Sequence, residues 1–245
     1  MVRFFIPTAQ IEGNRVYLYG KDQHHLVKVL RKRIGDEFSV LNGKGEEFTA
    51  RIVAMEEDRV TAEIVSASTK PAEPRVRITL AQSLPKADKF ELIIQKNTEI
   101  GVSSFQPLIT ERSTIKLDRN TEAKKRERWQ KIIQEAAEQS GRKMIPRLEP
   151  VKSWEDILAD LGTGLAIIPW EGERQTSLKQ VLEGRELPET VTILIGPEGG
   201  FSLYEVDRAR AAGAIPVTLG PRILRTETAG LVVSTVIFYH YGDLS

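Results

Sequence analysis

Two segments in the last third of the 245-residue chain carry residue types suited to holding a ligand. The first, Ile195-Gly196-Pro197-Glu198-Gly199-Gly200-Phe201-Ser202, sets three glycines and a proline within five residues. Such a segment brings bare backbone close to whatever lies above it. The second, Leu219-Gly220-Pro221-Arg222-Ile223-Leu224-Arg225-Thr226-Glu227-Thr228-Ala229, places the charged pair Arg225 and Glu227 at a helix start. Neither has the GxxxxGK[ST] spacing of a phosphate loop or the GxGxxG of dinucleotide folds. The pair suggests a ligand site that is not a phosphate cradle. Taken singly, a Gly-Pro turn after a strand also reads as a tight connection, and Arg225 with Glu227 as a salt bridge at a helix start.

Other chemistries are excluded by what the chain lacks. With no cysteine, thiolate nucleophiles, disulfides, iron–sulfur clusters and thiolate zinc sites all fall away. Of the three histidines, His24 and His25 are adjacent and diverge by about 100° on a helix, so they do not chelate one metal from one face. No metal is expected. A formal charge of +1 neither supports nor excludes a nucleic-acid partner. Hydrophobic content of 40% and charged content of 28% are those of a globular chain. The apolar run after Met1 is too short for a signal peptide, and no stretch approaches the ~18 apolar residues of a membrane span. The expectation is a cytoplasmic protein with no membrane partner.

The elements that must position the two segments alternate between strand and helix. Beyond residue 75, strand patterns at Arg75–Gln82, Phe105–Ile109, Leu165–Ile168, Val191–Ile195 and Pro216–Leu219 are separated by helical ones. These helices span Asp88–Ile100, Lys124–Ser140, Trp154–Leu161, a short stretch opened by Ser177, Leu203–Ala212 and Glu227–Tyr241. That alternation predicts an α/β domain on a mostly parallel sheet, where ligands bind at the strands' carboxyl ends. Both glycine-bearing segments leave such ends. Ser202 and Glu205, Ser177 and Gln180, and Asp88 and Glu91 have capping-box spacing, Phe201 and Val206 form a hydrophobic staple around the first, and Thr226 is the expected N-cap of the last helix. That helix is apolar nearly all round, so it is expected to be buried, in the core or between protomers. Before residue 70 the pattern is of short strands: Arg15–Tyr19, Glu37–Leu41, Glu47–Met55 and Arg59–Ser66, with one helix at Gln23–Leu30 that sets Leu26, Val29 and Leu30 on one face. These predict a small barrel. Lys70-Pro71-Ala72-Glu73-Pro74 reads as a linker.

The paired segments resemble the signatures of the bacterial 16S rRNA (uracil-N3)-methyltransferase family, a branch of the SPOUT superfamily of knotted methyltransferases. Arg3-Phe4-Phe5, His24–Arg31, Asn42-Gly43-Lys44-Gly45, Gln95–Val102 and Glu135–Arg142 are similar to its other motifs, in the expected order along the chain. The resemblance implies a PUA-like RNA-binding β-barrel domain over residues 1–72. It also implies a SPOUT methyltransferase domain over residues 75–245, whose mostly parallel sheet ends in a C-terminal trefoil knot. It further implies S-adenosyl-L-methionine as cofactor, a homodimer, no metal, and methylation of N3 of one uridine in 16S rRNA, within the small ribosomal subunit.

On that reading the residues take roles. The uracil N3 carries a proton and must lose it to attack a methyl group, so a fixed cation near the uracil oxygens helps. Arg225 is the expected cation. Glu198 or Glu227 is expected to accept the proton or to balance the sulfonium charge. Expected cofactor contacts are Leu194, Ile195, Gly196 and Gly200 from the first segment, and Leu219, Gly220, Ile223, Leu224 and Thr228 from the second. Pro169, with Glu171, joins them from the neighbouring strand. RNA contacts are expected from Lys28, Arg31, Lys32 and Arg33 beside His24, and from Arg3, Lys86 and Lys89. Lys96, Arg112 and Arg142 extend this cationic set. Three rival readings stand beside this one: a SPOUT enzyme acting on another RNA, a non-enzymatic RNA-binding assembly factor with a vestigial pocket, and a small-molecule nucleotide-dependent enzyme, which leaves the N-terminal barrel and basic helix unexplained.

Overall fold

A computed structural model describes residues 3–68, 73–115, 118–162 and 164–244. The chain divides into two compact units, one of residues 1–73 with 137–145 and the other of 74–136 with 146–245. Residues Lys70, Pro71 and Ala72 of the expected linker lie outside the described residues.

In the first unit, β1 (Arg3–Phe5), β2 (Ile11–Glu12), β3 (Arg15–Tyr19), β4 (Glu37–Leu41), β5 (Glu47–Met55) and β6 (Arg59–Ser68) form one sheet in the order β1-β4-β5-β6-β3-β2. Only β1 and β4 pair in parallel, and the sheet curls into a half-barrel. Register shifts between Thr49 and Ala50 and between Ile52 and Ala54 mark bulges, which bend and twist a strand. Alternate residues Val16 and Leu18, Phe38 and Val40, and Ala50 and Ile52 face one core with Phe4, Leu26 and Val60. The segment 137–145 is held by Ala137 and Ile145 against Phe5 and Leu41. The Glu73 carboxylate then accepts from Arg142 Nη2 at 2.6 Å and from the Lys143 and Met144 N–H groups at 2.9 Å. Arg142, expected among the surface cations, is instead buried in this contact.

The helix after β3 differs from its sequence pattern. It begins earlier, with α1 (Gly20–His24), and runs directly into a π-helical stretch, His25–Val29. The Leu30 N–H donates to the His25 carbonyl at 2.9 Å, an i to i+5 bond. Spacing by 3.6 residues put Val29 beside Leu26, but the wider turn rotates it outward, leaving Leu26 buried and Val29 60% exposed.

In the second unit the strands are β7 (Arg77–Ser83), β8 (Ser104–Ile109), β9 (Arg147–Leu148), β10 (Lys152–Ser153), β11 (Leu165–Pro169), β12 (Thr190–Ile195) and β13 (Ile215–Val217). They lie in the order β10-β8-β7-β12-β11-β13, with β9 also on β8, and every pairing is parallel. The connecting helices are α2 (Lys89–Ile100), α3 (Arg119–Ser140), α4 (Trp154–Ala159), α5 (Leu178–Glu183), α6 (Leu203–Ala211) and α7 (Thr226–His240). Apolar runs such as Val191-Thr192-Ile193-Leu194-Ile195 fit a strand covered on both faces. One core cluster joins Leu194, Ile168, Phe201, Val206 and Trp154. The capping boxes at Ser177 and Ser202 both form. Asp88 caps α2 without a side-chain bond, and the carboxylate of Glu91 goes to Arg128 at 2.6 Å instead.

Helix α7 is buried along Gly230, Val233, Ser234, Ile237 and Phe238, while Tyr239 is 73% exposed. A Cβ on Gly230 would stand 3.0 Å from Leu80, which lets this helix press against β7. Its N-cap is Arg225, not Thr226, because Thr226 is already helical and its hydroxyl is committed elsewhere.

Candidate active site at the carboxyl ends of the parallel strands

The first segment leaves β12 and folds over itself. The Gly200 N–H donates to the Pro197 carbonyl at 2.9 Å, and a Cβ on Gly196 would stand 3.1 Å from Gly200 backbone carbon. Gly200 has φ +66°, a left-handed conformation that costs a side-chain-bearing residue about 1–2 kcal/mol. A Cβ there would also lie 2.6 Å from a Glu171 carboxylate oxygen. The segment is fastened at its far end. Glu205 N–H donates to Ser202 Oγ at 3.3 Å, and Ser202 N–H donates to Glu205 Oε2 at 2.9 Å, satisfying two free donors of the α6 start. Arg112 Nη1 donates to the Gly199 carbonyl at 2.7 Å.

The second segment leaves β13 and enters α7. Thr226 Oγ1 donates to the Gly196 carbonyl at 2.6 Å and accepts from Gln82 Nε2 at 2.9 Å. The two segments therefore touch by hydrogen bonding, and between them opens a cavity of about 500 Å³. Ile195, Gly196, Glu198 and Gly200 line it from one side, Ile223, Leu224, Arg225 and Glu227 from the other, with Pro169, Glu171 and Lys89 completing the wall. A smaller recess of about 90 Å³ shares Pro169, Glu171, Ile223 and Leu224 and adds Leu219 and Gly220.

The cavity is charged and unevenly satisfied. Lys89 Nζ lies 2.8 Å from Glu198 Oε1 and 3.8 Å from Glu227 Oε2. The Lys86 N–H donates to Glu198 Oε1 at 3.1 Å. Burial works to raise the Glu198 pKa, but the hydrogen bonds from Lys89 and from backbone outweigh it, and the net shift is downward. The same hydrogen bond, against a smaller opposing burial effect, raises that of Lys89. Arg225 Nη1 reaches Glu227 Oε1 only at 4.0 Å, and its side chain is 83% exposed. Glu227 Oε2 is buried with no hydrogen-bond donor among the described residues. Glu198 is thus a committed carboxylate, while Glu227 keeps an open acceptor.

Most of the expected cofactor and catalytic residues come together here. Leu194 and Thr228 do not line the cavity: Leu194 is fully buried in the core, and Thr228 N–H closes the first turn of α7 on the Arg225 carbonyl at 2.9 Å. Of the expected RNA contacts, Lys89 stands in the cavity wall and Lys86 presents its backbone to Glu198. Lys96 and Arg112 also belong to the second unit, and the others to the first. There His24, Lys28, Arg31 and Arg33 are exposed and Lys32 half-buried, and Arg3 pairs with Glu47 at 3.3 Å. Sequence reasoning missed Gln82; its signal is one amide at the end of the mostly apolar run Ile78-Thr79-Leu80-Ala81. Among the described residues, no group of three His, Asp or Glu side chains could hold a metal ion, and no helix is long and apolar enough to cross a membrane.

A glycine-lined cavity at the carboxyl edge of a parallel sheet, closed by the helix that follows the last strand, defines a ligand-binding α/β domain of the enzyme kind. Residues 72–238 match the family described as an RNA methyltransferase domain, and residues 18–65 match an RNA methyltransferase PUA domain. Ribosomal RNA small subunit methyltransferase E of Bacillus subtilis (strain 168) is 34% identical, over 98% of this chain and 96% of the relative. The protein of the same name from Synechocystis sp. is 36% identical, over 94% of this chain and 75% of its own length. A crystal structure of ribosomal RNA small subunit methyltransferase E from Neisseria gonorrhoeae, bound to S-adenosyl methionine, is 34% identical and superposes with a TM-score of 0.88 over the whole of both chains. The chain belongs to the ribosomal RNA small subunit methyltransferase E family.

Proposed function

We propose that this protein transfers a methyl group from S-adenosyl-L-methionine to N3 of a specific uridine in 16S rRNA of the small ribosomal subunit. The observation that carries the reading is the hydrogen-bonded pair of glycine-bearing segments enclosing a cavity in which carboxylates outnumber cations. Glu171, Glu198 and Glu227 face Lys89 and Arg225 there, three negative groups against two positive ones. That surplus suits a cofactor whose sulfonium is cationic, and the bare backbone of Gly200 lets the Glu171 carboxylate close in on the loop. The bound S-adenosyl-L-methionine of the Neisseria gonorrhoeae relative supports the same cofactor here.

When bound, the cofactor supplies an electrophilic methyl group. Everything else falls to the chain. Gly196, Ile195 and Gly200 on one side and Leu219, Gly220, Ile223 and Leu224 on the other hold the donor, with Pro169 beside them; orientation of this kind is worth up to about 7–11 kcal/mol. Arg225, exposed and only loosely held, is free to turn its guanidinium to the uracil oxygens and favour the N3 anion. Between the two candidate bases, Glu227 is the better placed, since its Oε2 has no donor while Glu198 is engaged by Lys89. Lys89 is a third exposed but is engaged by Glu198, so its role is to fix that carboxylate.

RNA binding is assigned to residues 1–72, through Lys28, Arg31, Lys32 and Arg33 beside His24 and through Arg3, and Lys86 is a separate candidate contact in the second unit. Residues 75–245 are assigned to catalysis, their two glycine segments forming the trefoil knot. The protein acts as a homodimer in the cytoplasm, with Val236 and Tyr239 of α7 supplying exposed apolar surface for the partner. The test is transfer of labelled methyl from S-adenosyl-L-methionine to purified small subunits and to free 16S rRNA. Stoichiometric labelling supports the reading; an unlabelled product with both substrates refutes it.

A further inference from the structure

Resting on that cofactor assignment, we propose that Gln82 is a positioning residue for the donor site: through Thr226 it ties the two glycine segments together and holds the cavity open in the unliganded protein. Gln82 is the last but one residue of β7, fully buried, and in register with Ile195 of β12. It therefore sits beside the point where the first segment departs. Its amide nitrogen donates to the Ser83 carbonyl at 2.8 Å and to Thr226 Oγ1 at 2.9 Å, and stands 3.5 Å from the Gly196 carbonyl. Two carbonyl oxygens around that nitrogen fix which way the amide faces, because its oxygen there would repel both.

With Gln82 donating to it, the Thr226 hydroxyl has its proton free for the Gly196 carbonyl, at 2.6 Å. The chain of bonds is directional: amide to hydroxyl, hydroxyl to carbonyl. One end is anchored in the middle of the sheet, the centre lies in the first turn of α7, and the far end is the first glycine of the cofactor loop. This arrangement leaves Gln82 Oε1 buried without a partner among the described residues. An unsatisfied buried oxygen is an energetic cost that an apolar residue would avoid. The chain tolerates it at the one place where the Thr226 hydroxyl must be held as a donor. The same need explains why Thr226 does not cap α7.

Three variants test the relay. Thr226→Val keeps the shape and removes both bonds, Thr226→Ser keeps both bonds, and Gln82→Met keeps the length of the side chain but has no donor. Hydrogen exchange in the cofactor-free protein reads the relay directly. Thr226→Val and Gln82→Met should speed exchange of the Gly200 and Ala229 amides, and Thr226→Ser should leave them protected. Calorimetry with S-adenosyl-L-methionine should show roughly tenfold weaker binding for Thr226→Val, the effect of one hydrogen bond to a fixed geometry. KM for small subunits should stay within about twofold. Unchanged exchange and affinity in Thr226→Val overturn the relay. Equal losses of cofactor and RNA affinity, or failure of Thr226→Ser to restore the wild-type values, overturn it as well. If wild-type protein binds no S-adenosyl-L-methionine, the cofactor assignment fails, and the exchange data still decide whether the relay exists. Should Gln82→Met not fold, the two Thr226 variants suffice.

Discussion

The Lys89 ammonium stands 2.8 Å from Glu198 Oε1 and 3.8 Å from Glu227 Oε2, so a single cation ranks two carboxylates that look equivalent in the sequence. Glu198 has a close donor and a second from backbone; Glu227 has neither. Glu227→Gln is therefore expected to lower kcat by a factor on the order of 10²–10⁴, the range of a general base. Glu198→Gln is expected to cost less and to act through cofactor or substrate KM. Steady-state kinetics on small subunits checks this, and the reverse ranking would reassign the base.

The pH profile follows from the same pair. Glu198 has a folded pKa below its ordinary value of 4.5, so its contribution to stability is present above that value and lost as pH falls through the lower, folded one. Lys89 is raised above its ordinary 10.5, so its contribution is present below that value and lost as pH rises through the higher, folded one. The link is intact throughout the neutral range. Glu198→Gln should therefore change the height of the pH–rate curve near neutrality and leave its shape alone. Loss of a neutral limb in that variant would make Glu198 a titrating participant.

Arg225 is exposed and reaches Glu227 only at 4.0 Å, so the fold depends little on its side chain. Arg225→Ala should cut turnover by roughly 10²–10³, as for loss of one group that stabilises developing charge. Cofactor affinity should stay within a few-fold and the melting temperature should hardly move. Parallel losses of turnover and cofactor affinity in calorimetry would contradict this division of labour.

Gly200→Ala places a side chain at φ +66° and against the Glu171 carboxylate. The backbone conformation alone costs about 1–2 kcal/mol. The expected outcome is a melting temperature lower by a few degrees, together with cofactor binding weakened more than tenfold. A variant that binds normally would show that the wall between Gly200 and Glu171 is not part of the donor site.

The fold was largely legible because its signals are local. Ser202 with Glu205 and Ser177 with Gln180 formed the boxes their spacing predicts, and the run from Val191 to Ile195 became a central parallel strand. Local rules failed where tertiary partners outbid them. Thr226 has the right side chain for an N-cap but serves Gly196 and Gln82, three chain segments that meet only after folding. Val29 lies on the predicted face of a regular helix and was turned outward by a π-helical turn. Lys89 looked like one surface cation among several, and nothing short of the packed loops after β7 and β12 places it on Glu198. The target base and the knot were legible only through family resemblance, since no periodicity encodes either.

The central claim is that the cavity between Gly196 and Arg225 aims a methyl group at uracil N3. The most direct test is mass spectrometry of nucleosides from small subunits that lack this modification, after incubation with the protein and S-adenosyl-L-methionine. One N3-methyluridine per 16S rRNA, formed roughly 10²–10³ times more slowly with Arg225→Ala, is the predicted result. A methyl group found on a ribose, or on a base other than uracil, would contradict it.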